Sequence, residues 1–227
     1  MKDISYLISQ NKSLHDSKLI KTFKSKKNIV CLLEKNDYLF ILKWFSQGIN
    51  KYFSQENYVL SQNNTPILKP YLIDKNEEYH FFILQYIKGE NICDLINNPN
   101  IEMKEKIVII RLLATWFYQF HTYFQKFDKV LIHGDAHLRN FIFTKDQTVY
   151  GVDYEETCNG KPITDISNLC ASILTTTPEF TKEKNKLVQQ FLETYENLRG
   201  YSLQEIDANI QESIKKMKKR RKKNTTN

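Results

Sequence analysis

The segment IEMKEKIVIIRLLATWFYQFHTYFQ, residues 101–125, runs without a Gly or Pro and is apolar around much of its circumference. A helix of that kind belongs in the middle of a packed lobe, with other elements on several sides. The chain upstream has a different character. KLIKTF (18–23), NIVCLLEK (28–35) and YLFILKWF (38–45) are short, rich in apolar and aromatic residues, and separated by KSKK and ND, which is the pattern of an antiparallel meander. INKYFSQENYVLSQ (49–62) sets Ile49, Phe53, Val59 and Leu60 at helical spacing before NNTP stops it, and HFFILQYI (80–87) returns to strand character. Gly89 marks the break. Beyond the long helix, NFIFT and VYGVDYE read as short strands joined by KDQ, and helical segments follow near 165–174, 181–198 and 203–217, the last with Leu203, Ile206, Ile210 and Ile214 on one face. The fold class is therefore α+β and bilobal. A small antiparallel-sheet lobe with one helix is expected over 1–87, a mainly helical lobe over 88–214, and a disordered basic tail over 215–227.

Composition narrows the function classes. With 41% hydrophobic and 13% aromatic residues, a chain of 227 residues can bury a real core. It has no run of eighteen apolar residues, and its start lacks the charged and apolar regions of a signal peptide, so no membrane span and a cytoplasmic location are expected. Cys31, Cys93, Cys158 and Cys170 lie far apart without paired spacing, which suits reduced thiols better than a zinc site or a disulfide framework. The net charge is +7, but KKMKKRRKK (215–223) holds eight basic residues, so the remainder sums to +7 minus 8, or −1. The basic character belongs to the tail, which reads either as a solvated end or as a contact for nucleic acid or an acidic partner.

The chemistry concentrates in LIHGDAHLRNFIFTKDQTVYGVDYEE, residues 131–156. Asp135 and Asn140 are five positions apart, and Asp153 ends the next apolar run. That spacing is the one a kinase catalytic loop uses, where an aspartate takes the proton of the acceptor hydroxyl and an asparagine holds a metal ion. Phosphoryl transfer asks for in-line alignment and for neutralised phosphate oxygens, and Mg²⁺ prefers the hard oxygens of an Asn carbonyl and an Asp carboxylate. A second test lies upstream. Lys43 sits in an apolar strand, where an ammonium is costly unless paired, and Glu56 lies in the one helix of that lobe.

HGDAHLRN (133–140) resembles the HGDxHxxN motif of the aminoglycoside phosphotransferase and choline kinase superfamily, a branch of the protein-kinase-like fold. ENYVLSQNNTPILKPYLI, LQYIKGENICDLI, GVDYEETCNGKPITDISNL and QQFLETYENLRGYSL are similar to further parts of that family, so that the resemblance spans about 20–210. It implies a phosphotransferase using ATP, or GTP, with Mg²⁺ on a small-molecule hydroxyl acceptor. Asp135 would be the catalytic base, Asn140 and Asp153 the metal ligands, and Lys43 the contact to the α and β phosphates with Glu56 positioning it. Backbone groups of Gln85, Tyr86 and Ile87 would face the adenine, and Asp165 would brace the catalytic loop. His137 stands where protein kinases place a phosphate-contacting Lys, so it either approaches the γ-phosphate or shapes the loop. His133 and His121 read as structural, and Arg139 as an ion-pair partner. Glu155 and Glu156 are either a solvated strand end or a contact for a cationic acceptor. The turn KSKKN (24–28) has no Gly where related kinases often have a Gly-rich loop; Lys24, Lys26 and Lys27 could supply charge to a phosphate there, or form a solvated hairpin tip. Two other readings keep the fold: a small atypical protein kinase, and a nucleotide-binding pseudokinase.

Overall fold

The computed structural model describes residues 4–25, 27–45, 50–126 and 129–225. They form two compact units, one of residues 1–61 with 70–87 and one of 62–69 with 88–227. In the first unit, α1 (Ile4–Gln10) precedes β1 (Lys18–Phe23), β2 (Ile29–Lys35) and β3 (Tyr38–Trp44); α2 (Asn50–Leu60), β4 (Leu72–Asn76) and β5 (Phe81–Gln85) follow. The strands make one antiparallel five-stranded sheet in the order β1-β2-β3-β5-β4.

Alternation along these strands explains why both faces are covered. Cys31, Leu33, Phe40, Leu42, Trp44, Phe81 and Ile83 form a buried cluster with Leu7 of α1 and Leu14. The intervening residues point the other way. There Phe82 stacks on Phe53 of α2 at 4.4 Å between ring centroids, and Phe45 meets both rings edge-on. Lys43 opposes Phe82 in the ladder, so strand register puts its side chain on the α2 face. The three-stranded meander and the helix appear where the sequence predicts them; Ile49 lies outside the described residues. Helix α1 and strand β4 were not foreseen. β4 is a largely exposed edge strand with polar residues, and its polar composition hides it from a periodicity argument.

In the second unit, β6 (Gly89–Asn91), α3 (Ile92–Asn97) and α4 (Met103–Tyr123) are followed by β7 (Gln125–Lys126), β8 (Lys129–Ile132), β9 (Phe141–Thr144), β10 (Val149–Gly151) and β11 (Cys158–Gly160). Then come α5 (Pro162–Thr175), α6 (Lys182–Arg199) and α7 (Ile206–Thr225). The strands pair as two small sheets, β10-β9-β6 and β11-β8-β7. Central placement of α4 is borne out: Ile109, Ile110, Leu113, Ala114, Phe117 and Phe120 are all buried. Trp116 anchors residues 62–69 to this unit, because its indole Nε1 donates to the Leu68 carbonyl at 3.0 Å, which also accepts from Gly151 N at 3.1 Å. Gly151 itself has no room for a side chain; a Cβ there would lie 2.3 Å from the Trp116 ring.

The basic run corrects an expectation. Expected as a disordered tail over 215–227, it continues α7 to Thr225, and 226–227 lie outside the described residues. Burial of Ile210, Ser213 and Ile214 starts the helix against α5, Glu212 pairs with Lys216 one turn on at 2.6 Å, and Arg221 donates to the Thr175 carbonyl at 2.8 Å. A terminal charge run with anchors of this kind need not fray. No helix among the described residues is long and apolar enough to cross a membrane.

Candidate active site

The catalytic-loop segment leaves β8 at Ile132, passes through His133 to His137, and makes one 3₁₀ turn, Leu138–Asn140, before entering β9. Asp165, fully buried in the first turn of α5, holds the start of that path. Its carboxylate accepts the backbone N–H of His133 at 2.6 Å and of Gly134 at 3.0 Å. The His121 ring contacts the same carboxylate through Nε2 at 3.1 Å, and its Nδ1 lies 2.8 Å from the Tyr195 hydroxyl. Burial pushes the Tyr195 phenol up to about 12, so this hydroxyl stays protonated; it can donate to Nδ1 while Nε2–H donates to Asp165. Four elements, α4, β8, α5 and α6, are thereby tied to the loop.

Gly134 is required by two independent facts. Its φ is +79°, and a Cβ on it would sit 2.1 Å from the Glu156 carbonyl oxygen. Only glycine meets both demands. The loop then turns inward at Ala136 and Leu138, both buried, and the Leu138 N–H donates to Ser172 of α5 at 3.2 Å.

Asn140 joins the loop to the strand pair. Its Nδ2 donates to the Asp135 carbonyl at 2.9 Å, and its own carbonyl accepts from Val152 N at 2.9 Å, one residue before Asp153. With Nδ2 committed, Oδ1 is the atom this side chain has for a cation. Asp153 adopts φ 65°, a left-handed conformation that an aspartate tolerates better than most side chains, and a tight turn follows in which the Tyr154 hydroxyl donates to the Gly151 carbonyl at 2.7 Å. The oxygen donors of Asn140 and Asp153 are of the hard type that suits Mg²⁺.

Asp135 and His137 face each other, Nε2 to Oδ2, at 3.2 Å. Burial alone would raise the Asp135 carboxyl; the hydrogen bond and charge of His137, with smaller contributions from His133 and then Arg220, outweigh it and bring the pKa from 3.8 down to about 2. Asp135 is therefore an ionised carboxylate across the neutral range, as a proton acceptor must be. His133 differs. It is fully buried among Trp116, Phe120, Phe141 and Tyr154, burial pushes its pKa down, and its Nε2 lies 3.3 Å from the Val152 carbonyl. A neutral imidazole donating to that carbonyl is a structural part of the loop. Arg139 contacts Asp94 at 3.5 Å with both side chains exposed, a weak surface pair.

In the metal-free protein, His137→Gln should raise the Asp135 pKa from about 2 toward 3.8. A carboxyl depressed by folding contributes stability that is present above its unfolded pKa and is lost as pH falls toward the folded one. Urea titrations should therefore show wild type more stable than the variant above about pH 4, with the gap closing toward about pH 2. The gap should be small, because both side chains are about one-third exposed and water screens the pair.

In the first unit, Lys43 and Glu56 form a buried ion pair at 2.5 Å, and the ammonium also lies 5.1 Å from the centre of the Phe45 ring. Gln85 is fixed on both sides: its N–H donates to the Tyr71 carbonyl at 2.9 Å, and its Oε1 accepts from Tyr71 N at 3.3 Å. Tyr86 and Ile87 follow β5, and Ile87 is buried. Of the KSKKN lysines, Lys27 lies over the Tyr52 ring at 4.6 Å, Lys24 is exposed, and Lys26 is outside the described residues. Lys43→Ala would leave the buried Glu56 carboxylate without the Lys43 ammonium, a loss of about 3–5 kcal/mol. Chemical denaturation should show that loss, and Glu56→Gln in the same chain should recover part of it.

The geometry brings Asp135, His137 and Asn140 together with the strand end that carries Asp153, and separately pairs Lys43 with Glu56. Tyr195 and Ser172 escaped the sequence reading. Each lies in a helix whose periodicity accounts for it as ordinary packing, and nothing local marks its bond to the loop or to His121.

Comparison with known proteins agrees with this arrangement. Residues 104–201 match the model of the family described as the phosphotransferase enzyme family (APH). Among curated protein sequences, none matches. Solved structures match over most of the chain. The gentamicin complex of APH(2")-IIa superimposes with a TM-score of 0.65 at 14% identity, covering 94% of this chain and 86% of that one. The streptomycin and ATP ternary complex of APH(2")-IIa gives 0.64 at 15%, covering 94% and 88%. ADP-bound APH(2'')-Ib gives 0.62 at 16%, covering 92% and 84%. The fold is that of these aminoglycoside phosphotransferase structures. The matched span, 104–201, includes the segment 131–156 that carries Asp135, Asn140 and Asp153.

Proposed function

We propose that the protein transfers the γ-phosphate of ATP, with Mg²⁺, to a hydroxyl group of a small molecule. The observation that carries this reading is the junction at Asn140, which binds the Asp135 backbone on one side and the residue before Asp153 on the other. A base and two oxygen donors are thus held by one side chain and two short strands, at the spacing that phosphoryl transfer uses.

Each residue then has a definite task. Asp135, ionised at neutral pH, accepts the proton of the attacking hydroxyl and orients it. Asn140 Oδ1 and the Asp153 carboxylate would hold Mg²⁺, whose charge neutralises the phosphate oxygens. Lys43, kept in place by Glu56, would bind the α and β phosphates, and His137 would either approach the γ-phosphate or fix the Asp135 carboxylate. The backbone of Gln85 to Ile87 would bind the purine of ATP or GTP. Asp165 takes no part in bond making; it positions the loop through the N–H groups of His133 and Gly134. Two of the superimposed structures contain ATP or ADP, and two contain an aminoglycoside, which supports a nucleotide and a small hydroxylated acceptor as the ligand classes.

The test is transfer of labelled γ-phosphate from Mg·ATP over a panel of hydroxylated metabolites, aminoglycosides and a generic protein substrate. Transfer to one small-molecule class is expected. Transfer only to protein would favour the protein-kinase reading, and neither transfer nor ATP hydrolysis would overturn phosphotransfer altogether.

A further inference from the structure

The basic run of α7, KKMKKRRKK over 215–223, has no task in the phosphotransferase reading, and contacts sort its side chains by direction. Ile210, Ser213 and Ile214 are buried, Ser213 Oγ donates to Asn168 of α5 at 2.9 Å, and the Thr175 hydroxyl meets the Met217 sulfur at 3.9 Å. Arg221 is held on the same side, donating to the carbonyl and hydroxyl of Thr175 at 2.8 and 3.0 Å. That register leaves Lys215, Lys216, Lys218, Lys219 and Arg220 exposed. Two carboxylates that meet the run are already paired, Glu212 with Lys216 at 2.6 Å and Glu179 with Arg221 at 3.1 Å. Lys215, Lys218, Lys219 and Arg220 form no salt bridge among the described residues.

An aromatic ring stands beside these cations. Phe180, in the connection from α5 to α6, is 43% exposed and adopts φ +54°, a left-handed conformation that a bulky side chain rarely takes. The connection is nonetheless fixed. The Phe180 N–H donates to the Leu174 carbonyl at 2.9 Å, Lys184 Nζ donates to Thr176, and Arg221 holds Thr175 and Glu179. Lys218 Nζ lies 5.1 Å from the centre of the Phe180 ring. Strained backbone at an exposed position points to use of the side chain it displays.

Unpaired cations beside a displayed ring match a strand of phosphates with accessible base faces. Ammonium and guanidinium groups track the backbone, and an aromatic ring stacks a base of any sequence. Other partners use only part of this surface. A duplex or an acidic peptide would answer the charge alone, and a bilayer asks a surface helix for a free apolar face, whereas that of α7 is covered by α5. We propose that the exposed cations of α7 and Phe180 form a binding surface for single-stranded nucleic acid, with phosphates along Lys215, Lys219 and Arg220 and a base against the Phe180 ring. Phosphates and base faces are common to RNA and DNA, so strands of both should bind.

Fluorescence anisotropy of the full chain with labelled RNA and DNA strands of about 12 nucleotides tests this, with a duplex of the same sequence, polyglutamate and phosphatidylserine vesicles as rivals. Both strands should bind with dissociation constants of roughly 1–100 µM at about 100 mM salt, and more tightly than the duplex. Four unpaired cations should give a slope of about −3 for log affinity against log salt. Phe180→Ala should weaken strand binding about five- to hundredfold with the slope unchanged, Phe180→Tyr should retain it, and Lys215→Ala with Lys219→Ala should reduce the slope by about 1.4. Both lysines are exposed, so that arm holds even if Phe180→Ala fails to fold.

Binding of neither strand would overturn the inference, as would equal binding of the duplex with no effect of Phe180→Ala, which would mean diffuse attraction. A preference for polyglutamate or for the vesicles would overturn it in favour of an acidic protein or a membrane. Strand binding abolished by saturating Mg·ATP would put the strand in the nucleotide site instead. The phosphotransferase reading is untouched by each of these results.

Discussion

Asp135→Asn should lower phosphotransfer by about 10²–10⁴-fold at saturating ATP and acceptor, the usual contribution of a positioned general base. The substitution keeps size and hydrogen-bonding shape while removing a carboxylate that is ionised at neutral pH, with its pKa near 2. The backbone should be unaffected, because Asn140 binds the Asp135 carbonyl and not its side chain. The melting temperature should therefore stay close to that of wild type while turnover collapses. Steady-state kinetics would show the fall in kcat with little change in the KM for ATP, since the lost interaction matters mainly in the transition state. A variant that turned over at more than one-tenth of the wild-type rate would remove Asp135 from the role of base.

The second large effect belongs to Asp165, to which the proposed mechanism gives only a positioning role. Asp165→Ala would leave the His133 and Gly134 N–H groups and the His121 ring without their buried acceptor. Each orphaned donor costs about 1–3 kcal/mol, so a total of about 3–9 kcal/mol is expected, and a chain of this size would melt roughly 10 °C lower or more. Thermal unfolding measures this directly. Asp165→Asn, which retains one acceptor oxygen, should lose less. A double-mutant cycle with His121→Phe should show coupling, because Asp165→Ala in the His121→Phe background removes a carboxylate that has already lost one donor. Activity should fall with stability here, whereas Asp135→Asn separates the two, and that contrast distinguishes a positioning residue from a catalytic one.

Much of this could be read from the chain before its fold was known, for a physical reason. Phosphoryl transfer constrains residue type and order severely, so Asp135, Asn140 and Asp153 stand out against turn chemistry, and Lys43 stands out as an ammonium in an apolar strand. Strong periodicity likewise made β2, β3, α4 and α6 visible. Weak or tertiary signals did not. Helix α1 is about two turns with a single fully buried residue, Leu7, and its reason for existing is the sheet face it covers. The three-residue strands β6 and β11 have almost no local pattern, and pairing with distant partners defines them. The basic run was misread as a loose end because its anchors, Thr175 and Glu179, lie some forty residues away in sequence. Gly134 is one letter of the HGDAHLRN motif in the sequence, and its necessity emerges only once the Glu156 carbonyl is seen 2.1 Å from where a Cβ would stand.

The central claim is that Asp153, with Asn140, makes this chain a magnesium-dependent nucleotide binder in which Asp135 acts on a hydroxyl. Equilibrium titration with ATP, with and without Mg²⁺, tests it most directly. Wild type should bind Mg·ATP with a dissociation constant at or below roughly 1 mM, Asp153→Ala should lose the dependence on Mg²⁺, and Asp135→Asn should bind as wild type does. Wild-type protein that fails to bind Mg·ATP, or that binds ATP equally well without Mg²⁺ and without Asp153, would contradict it.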